Sequence, residues 1–453
     1  MKRKSTQQRI RRGAAIALTG VALAFVAFSA SDGKSNYVAH EWGTFTSVQG
    51  SDGVLLDWRP LETSELPTFV YNWSKPGLNR LAGGLTKAVV TSLQRMETPV
   101  VYFYAKEAQT VDVSVQFPQG RITEWYPQAN QIGPAWMTPP PLVNALDTGV
   151  RKLGIKPQFT FASFLPQHVT KDSRIVWTNV RLLPAEQHTN VASLLPLDQS
   201  GSHYFAARET DSAFVRLNSL SRTNPLPEYD KFLFYRGVGS FATPLRVSMT
   251  DDNSLTLTNT SAETLSDLFV LRVHEGQGQF IQLDQLGLNT EQAVRFSGKD
   301  RPQGEVSAEL EQKIVAALTA QGLYPREATA MVNTWKDSWF TEAGVRVLYV
   351  LPRPWTDRTL PMQLTPQPQE LVRVMVGRAE LITPSTERRL CDSLGAASRD
   401  DAQARELALS ELKRLGRFAE AALGRVTNTA ARQTGWGLLQ TIAESKSKQV
   451  ASR

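Results

Sequence analysis

The amino-acid sequence predicts a β-dominant α+β protein, with sandwich-like antiparallel sheets followed by helices and a helical C-terminal tail. Three observations predict it. Short alternating or apolar segments recur from Tyr37 to about residue 290, separated by turn-forming Gly, Pro and Asn. Helical spacing takes over near Ser307. From Thr383 onward the pattern is helical throughout. The division read from these changes is 1–36 as an export segment and tether, 37–290 as a β-rich sandwich-like region, 291–384 as an α+β section, and 385–453 as a helical tail.

The elements follow in order. Pro99 to Tyr104 is a short apolar run of the buried-strand kind, and Val111 to Phe117 alternates with period two. Pro118-Gln119-Gly120 then reads as a turn and Ile122 to Tyr126 as the returning arm of a hairpin. Arg174 to Val180, His203 to Arg208 and Ala213 to Leu217 are further strand candidates. Lys231 to Tyr235 is apolar and aromatic, with Gly237 and Gly239 as turn formers after it. Leu245 to Met249, Ser254 to Asn259 and Leu265 to Val273 recur at sandwich spacing, the leucines of Leu255-Thr256-Leu257-Thr258 facing inward. Leu78 to Gln94 reads both as helix and as strand, and residues 131–170, rich in proline, read as a long surface excursion.

Leu310, Ile314, Ala317 and Leu318 mark a helix face, Gly322 suits the position after its end, and Pro325 suits the first turn of the next helix. Ala328, Met331, Val332, Trp335 and Trp339 form that helix's buried stripe. Val345 to Leu351 and Leu371 to Ile382 are strands joined by a proline-rich link, and Thr383-Pro384 opens a helix. Leu412, Leu415, Ala419 and Leu423 make one stripe of the tail, and a last helix runs near Trp436 to Ile442. The residues from Lys446 are expected to fray.

The chain has 453 residues, enough for a sizeable core. Its formal charge of +7 is carried by its two ends. Lys2, Arg3, Lys4, Arg9, Arg11 and Arg12 lie in the first twelve residues, and the stretch from Arg388 is also basic. The body between them is mildly acidic, which argues against a nucleic-acid partner. Cys391 is the one cysteine, so the fold stands without an intramolecular disulfide.

Gly13 to Ala30 is apolar and small apart from Thr19 and Ser29, and follows six cations. That charge step keeps the N-terminus inside while the apolar run enters a membrane. At 18 residues the run suits both a cleaved signal, with Ala27-Phe28-Ser29 at the cut, and a retained anchor. Arg11-Arg12 has the look of a twin-arginine signal, although Gly13-Ala14-Ala15 replaces the hydrophobic residues that should follow. The expected location of the body is the periplasm, free or anchored to the cytoplasmic membrane.

Several blocks carry a resemblance. They are His40-Glu41-Trp42-Gly43-Thr44-Phe45-Thr46-Ser47, Met96-Glu97-Thr98-Pro99-Val100, His203 to Glu209, Lys231 to Gly239, and Arg353-Pro354-Trp355-Thr356-Asp357-Arg358. Together they resemble a family of exported bacterial proteins, without an assigned activity, whose mature region opens on such a His-Glu-Trp-Gly-Thr block. The resemblance covers most of residues 38–384 and implies a bacterial cell-envelope protein; it implies no reaction.

Five histidines, His40, His168, His188, His203 and His274, lack the spacing of a helical zinc motif. A metal site would need His40, His203 and His274 gathered with Glu209 or Glu41, and no spacing supports one. No cofactor motif is present: neither a Walker sequence nor a third glycine after Gly237 and Gly239. Nor does a Gly-x-Ser-x-Gly elbow occur. Glu41-Trp42 and Glu124-Trp125 set acids beside indoles, but strand neighbours face opposite ways. Trp42, Trp125, Trp136 and Trp355 are candidate platforms for a glycan, and Arg236 and Arg358 candidate binding cations. Arg208-Glu209 and Asp357-Arg358 suit ion pairs that fix loops. The leading expectation is a non-enzymatic envelope protein that binds a glycan or a protein. The alternative is a hydrolase, metal-assisted or acid/base, built on His40, Glu41, His203, Arg208 and Glu209.

Overall fold

The computed structural model describes residues 36–59, 66–72, 91–133, 172–198, 202–218 and 226–451. The export segment, Trp136, His168 and most of the stretches 78–94 and 131–170 lie outside the described residues. The first strands are β1 (Tyr37–Gln49), β2 (Tyr71–Asn72), β3 (Gln94–Ala105), β4 (Gln109–Phe117), β5 (Gly120–Tyr126), β6 (Gln131–Gly133) and β7 (Ser173–Leu183). They are followed by β8 (Phe214–Leu217), β9 (Glu228–Asp230), β10 (Leu233–Gly239), β11 (Leu245–Asp251), β12 (Ser254–Asn259), β13 (Leu265–His274), β14 (Gln277–Leu286), β15 (Glu291–Arg295) and β16 (Arg301–Pro302). Next come helices α1 (Gln303–Ala320) and α2 (Pro325–Lys336), strand β17 (Gly344–Leu351), helix α3 (Arg353–Thr359), and strands β18 (Met362–Thr365) and β19 (Glu370–Leu381). The tail holds α4 (Pro384–Ala397), α5 (Ala402–Leu415), α6 (Ala419–Leu423) and α7 (Thr429–Ala451).

The expected β-dominant α+β class is the one observed, with sheets first and helices last. A ten-stranded main sheet runs β16-β14-β13-β17-β19-β1-β3-β10-β5-β2. Its β1–β19 pair is parallel, Val38 to Gln49 lying beside Glu370 to Leu381. The other pairings along it are antiparallel. The main sheet therefore takes strands from both sides of residue 290, and Lys34–Arg453 form one compact unit. The expected divisions at 290 and 384 mark changes of pattern along one body.

Two smaller sheets, β18-β4-β7-β8-β9 with β6 beside β7, and β11-β12-β15, contribute to the core on one face of the main sheet. Alternation selects those side chains: Val111, Val113 and Val115 of β4 and Leu255 and Leu257 of β12 point in, beside Phe45, Phe103 and Tyr349 of the main sheet. The opposite face is covered by α1, α2 and the π-helical turn Asp337–Thr341 after α2, whose Leu310, Ile314, Met331 and Trp339 share a core with Trp42, Tyr102, Leu348 and Val374. The tail helices pack around Val48, Leu56, Trp58 and Ile382.

Three local expectations are corrected. β4 and β5 do not pair as a hairpin. β4 joins β7 and β18 while β5 joins β10, so Pro118-Gln119 is a corner between two sheets. Gly237 and Gly239 belong to β10, and Gly237 is in close backbone approach: a Cβ there would meet the Arg121 carbonyl oxygen at 2.2 Å. The stripe from Leu412 to Leu423 is broken at Gly416, where a positive φ of 54° ends α5 before α6 begins. By contrast Gly322 follows α1 at φ 105°, Pro325 opens α2, and the Thr383 hydroxyl caps α4, all as the sequence predicts. The last helix continues past Ile442 to Ala451.

Gly237→Ala is expected to destabilise the fold by about 1–3 kcal/mol, because the clash is with backbone that cannot rotate away. Chemical denaturation of the two proteins measures it, and equal midpoints would refute the close approach.

Candidate functional site

β1 is buried along both faces, and most of its polar side chains are committed to partners, the Thr44 hydroxyl excepted among the described residues. His40 and Glu41 point to opposite faces, as strand alternation requires. On the helix face His40 Nδ1 lies 2.7 Å from Glu327 Oε2 of α2, and the same carboxylate oxygen accepts the Tyr324 backbone N–H at 3.2 Å. Tyr104 and Tyr324 cover the imidazole. On the sandwich face Arg373 Nε donates to Glu41 Oε2 at 2.6 Å, and the Tyr235 hydroxyl donates to Glu41 Oε1. Arg373 Nη1 continues to Asp357 Oδ1 at 2.8 Å. Burial would lower the Arg373 guanidinium, but the Glu41 charge and hydrogen bond raise it above the ordinary range.

The block from His203 is not a strand. His203–Arg208 is a 3-10 helix capped by the Ser202 side chain. Arg208 forks onto Asp230, Nε to Oδ1 at 2.9 Å and Nη2 to Oδ2 at 2.8 Å, and its Nη1 donates to the Pro196 carbonyl. The Tyr204 hydroxyl adds a third donor to Asp230. His203 is half exposed with Asp337 at 3.9 Å, and Glu209 closes the short helix. The five residues of the hydrolase reading therefore do not line one cleft. His40 and Glu41 are closed to solvent on opposite sides of the main sheet, and Arg208 is spent on Asp230. His274 pairs with Asp300 at 2.5 Å, and among the described residues no three His, Cys, Asp or Glu side chains gather as a metal site.

The aromatic platforms are corrected as well. Trp42, Trp125 and Trp355 are core residues, 0%, 3% and 8% exposed, and present no face to a sugar. Arg236 is buried against Glu124, Nε to Oε2 at 3.0 Å. Arg358 is largely exposed and pairs with Glu263 at 2.6 Å.

A further buried ionic cluster was not legible in the sequence. Arg346 and Arg378 both hold Glu380, at 3.0 and 2.7 Å, and Arg378 also meets Glu342 at 2.6 Å. Arg417 of the tail joins Glu97 to Glu342 at 3.2 and 3.6 Å. Burial would raise the Glu97 carboxyl. The charges of Arg95 and Arg417, helped by Thr46 and Arg378, override it and hold Glu97 down at about 2. Burial in turn lowers Arg95 to about 10.

Beside this cluster a cleft of about 290 Å³ opens where the ends of β13, β17 and β19 meet α4, α5 and the turn after α5. Asp252, Arg272, His274, Glu380, Thr383, Ser385, Thr386, Arg389 and Arg414 supply its polar lining; Val273, Val345, Leu381, Leu415 and Phe418 supply much of the apolar part. Arg389 and Arg414 share Glu411, at 3.1 and 2.6 Å. Burial would raise Glu411, but Arg414 and Arg389 hold it below the usual carboxylate range. Arg272 and His274 likewise share Asp300. These residues can hold a polar group through charge-assisted hydrogen bonds. Sequence reasoning named His274 only as a candidate metal ligand and missed the arginines, because Arg389 and Arg414 lie on the exposed side of a helical tail and Arg272 on a strand more than a hundred residues away.

No family model matches the chain, and no curated protein matches it. Among solved structures it is similar to a yeast delta-COP-I mu-homology domain at a TM-score of 0.24 and 7% identity, covering 77% of this chain and 98% of that one. The same domain complexed with a Dsl1 WxWxV peptide gives 0.25 and 8%, with the same coverage. Likeness at that level carries no argument about fold or function, and the geometry stands alone.

Arg373→Met leaves the Glu41 carboxylate buried without its cation and is expected to cost about 3–5 kcal/mol. Arg358→Met breaks an exposed pair and is expected to cost less than about 1 kcal/mol. Denaturant titration of both variants checks the contrast, and equal losses would refute it. Glu97 keeps its charge to lower pH in the folded chain than in the unfolded one. Its stabilisation is therefore complete above its ordinary value of 4.5 and is lost as pH falls towards 2. Stability measured over that interval should fall less steeply in Glu97→Gln than in the parent; parallel curves would refute the depressed carboxyl.

Proposed function

We propose that the chain is an exported cell-envelope protein that binds a protein partner in the cleft between the main sheet and the C-terminal helices. The cleft carries this reading. It is open and polar, with an apolar wall, and it is assembled from strand ends and helices distant in sequence. Arg389 and Arg414 are 49% and 40% exposed there, and besides Glu411 they donate to the Ser385 and Thr386 hydroxyls. Export is supported by the six cations and apolar run at the N-terminus. A protein is preferred to a glycan because three of the four tryptophans offered as sugar platforms are buried. The hydrolase alternative lacks its motivating arrangement, since its histidine and carboxylate are held in separate buried pairs.

Two measurements test the proposal. A fusion of the first forty residues to a reporter that is active only outside the cytoplasm should be active; a fusion that stays soluble inside the cell overturns the export. The full chain, used as bait on a solubilised envelope extract, should retain a discrete protein while a glycan array stays empty. An empty pull-down overturns the binding role.

A further inference from the structure

We infer that two copies of this chain associate by pairing their β14 strands, antiparallel and about a two-fold axis. The inference is independent of the cleft and adds a second interaction surface. It starts from an open backbone edge. One side of β14 is paired with β13 along its length, from Gln277 to Leu286. On the other side β16 reaches Gln277 and Gly278 alone, and among the described residues no strand pairs with β14 beyond them. A two-residue turn at Glu275–Gly276, with φ of 48° and 74°, closes the β13–β14 hairpin, so His274 and Gln277 exchange both hydrogen bonds across it. Alternation then turns the N–H and C=O of Phe280, Gln282 and Asp284 away from β13. The stretch from Gln279 to Leu286 lacks the devices that blunt a free edge: it has no Lys, no Pro and no bulge against β13.

The side chains choose a second copy as the occupant. Asp284 is the one charged residue of β14, so the strand offers no pattern of charge to a charged partner. Gln279, Gln282 and Gln285 carry amides, which both donate and accept and so complement their own kind. With the axis through Gln282, this residue faces its own copy, and Phe280 faces Asp284 of the second copy. These are the positions whose N–H and C=O point outward, so each pair exchanges two hydrogen bonds. In the same register Ile281 falls opposite Leu283 of the second copy, and Gln279 opposite its Gln285. Ile281 and Leu283 are half-buried against the core on the sandwich side, and the pairing covers what remains. The two Asp284 side chains are then about 14 Å apart along the strands and do not oppose each other. Two-fold pairing consumes the free edge of both copies, so the assembly closes at a dimer.

The test is sedimentation velocity of the purified full chain over about 1–100 µM. A dimer that dissociates on dilution is expected. Gln282→Pro removes an N–H that points outward and leaves the β13 ladder intact, so the variant should stay monomeric over the same range. Gln282→Lys sets two cations directly opposite each other in the dimer, whereas Gln282 is exposed in a single copy. Association should weaken by about fivefold or more. Thermal melts confirm that both variants fold; where Gln282→Pro does not, Gln282→Lys decides. A parent chain that is monomeric throughout overturns the inference. So does a dimer that Gln282→Lys leaves equally strong, as one held by the N-terminal apolar segment would be. A monomeric parent whose Gln282→Pro variant loses a protein from the envelope pull-down gives the edge to a strand of another protein, and overturns it too. An empty pull-down beside an intact, Gln282-dependent dimer sinks the cleft's binding role and leaves this inference standing.

Discussion

The parallel pairing of β1 with β19 is the constraint on which the rest of the structure depends. It sets Tyr37–Gln49 in the middle of a ten-stranded sheet beside a strand more than three hundred residues later. With β3 on its other side, β1 has both backbone edges bonded and both faces covered. A strand so placed should be almost wholly apolar. Here it carries His40, Glu41, Thr44, Thr46, Ser47 and Gln49, and each buried polar group needs a partner. Among the described residues Thr44 finds none, and the partners of the others lie in different layers. His40 reaches Glu327 of α2, and Glu41 reaches β19 and β10. Gln49 donates to the Leu245 carbonyl and accepts the Val247 N–H of β11. One strand thereby fixes a covering helix, the centre of the main sheet and the three-stranded sheet.

The same desolvation logic governs the arginines. A single buried cation is costly, and a pair recovers that cost only with good geometry and further hydrogen bonds. Arg346 meets these conditions, with Glu380 on one side and the carbonyls of Trp339 and Glu342 on the other. Arg208 does so with Asp230 and the Pro196 carbonyl. The cluster around Glu97 and Glu342 also binds the tail: Arg417 follows α5 yet ends between two carboxylates of the β-rich body. Arg425 repeats the device with Asp52 and Glu387. Apolar burial around Leu394, Leu412 and Leu423 gives the tail its area of contact, and these pairs restrict its position.

Periodicity and punctuation made most elements legible. Period-two alternation located β4 and β12, and Pro325, Thr383-Pro384 and Gly322 located helix ends, because these are local effects of backbone geometry. Pairing was not legible. Pro118-Gln119-Gly120 is compatible both with a hairpin and with a corner between sheets, and the long-range ladders of β4 and β5 choose the corner. The 3-10 helix at His203–Arg208 was missed because tertiary contacts, the Arg208–Asp230 fork above all, outweigh the strand propensity of a short aromatic block. Of the candidate site, alternation correctly separated His40 from Glu41 and each acid from its neighbouring tryptophan. What the sequence could not supply was Glu327, Arg373 and Asp230, the distant partners that turn reactive-looking residues into structural ones.

The contrast between those buried pairs and the cleft gives the cleft its meaning. In the interior, carboxylates gather several donors each: Glu41 has Arg373 and Tyr235, and Asp230 has Arg208 and Tyr204. That crowding of donors is what a dry environment demands. At the cleft the balance shifts to solvent. β19 passes into α4 through Ile382 and Thr383, and the tail covers Ile382 but leaves the strand ends beside it open. Arg389 and Arg414 stand at that opening, each partly exposed, with Glu411 between them and the Ser385 and Thr386 hydroxyls as further acceptors. The chain closes its charges inside donor-rich pairs wherever burial requires it and leaves charged side chains open to solvent at the cleft.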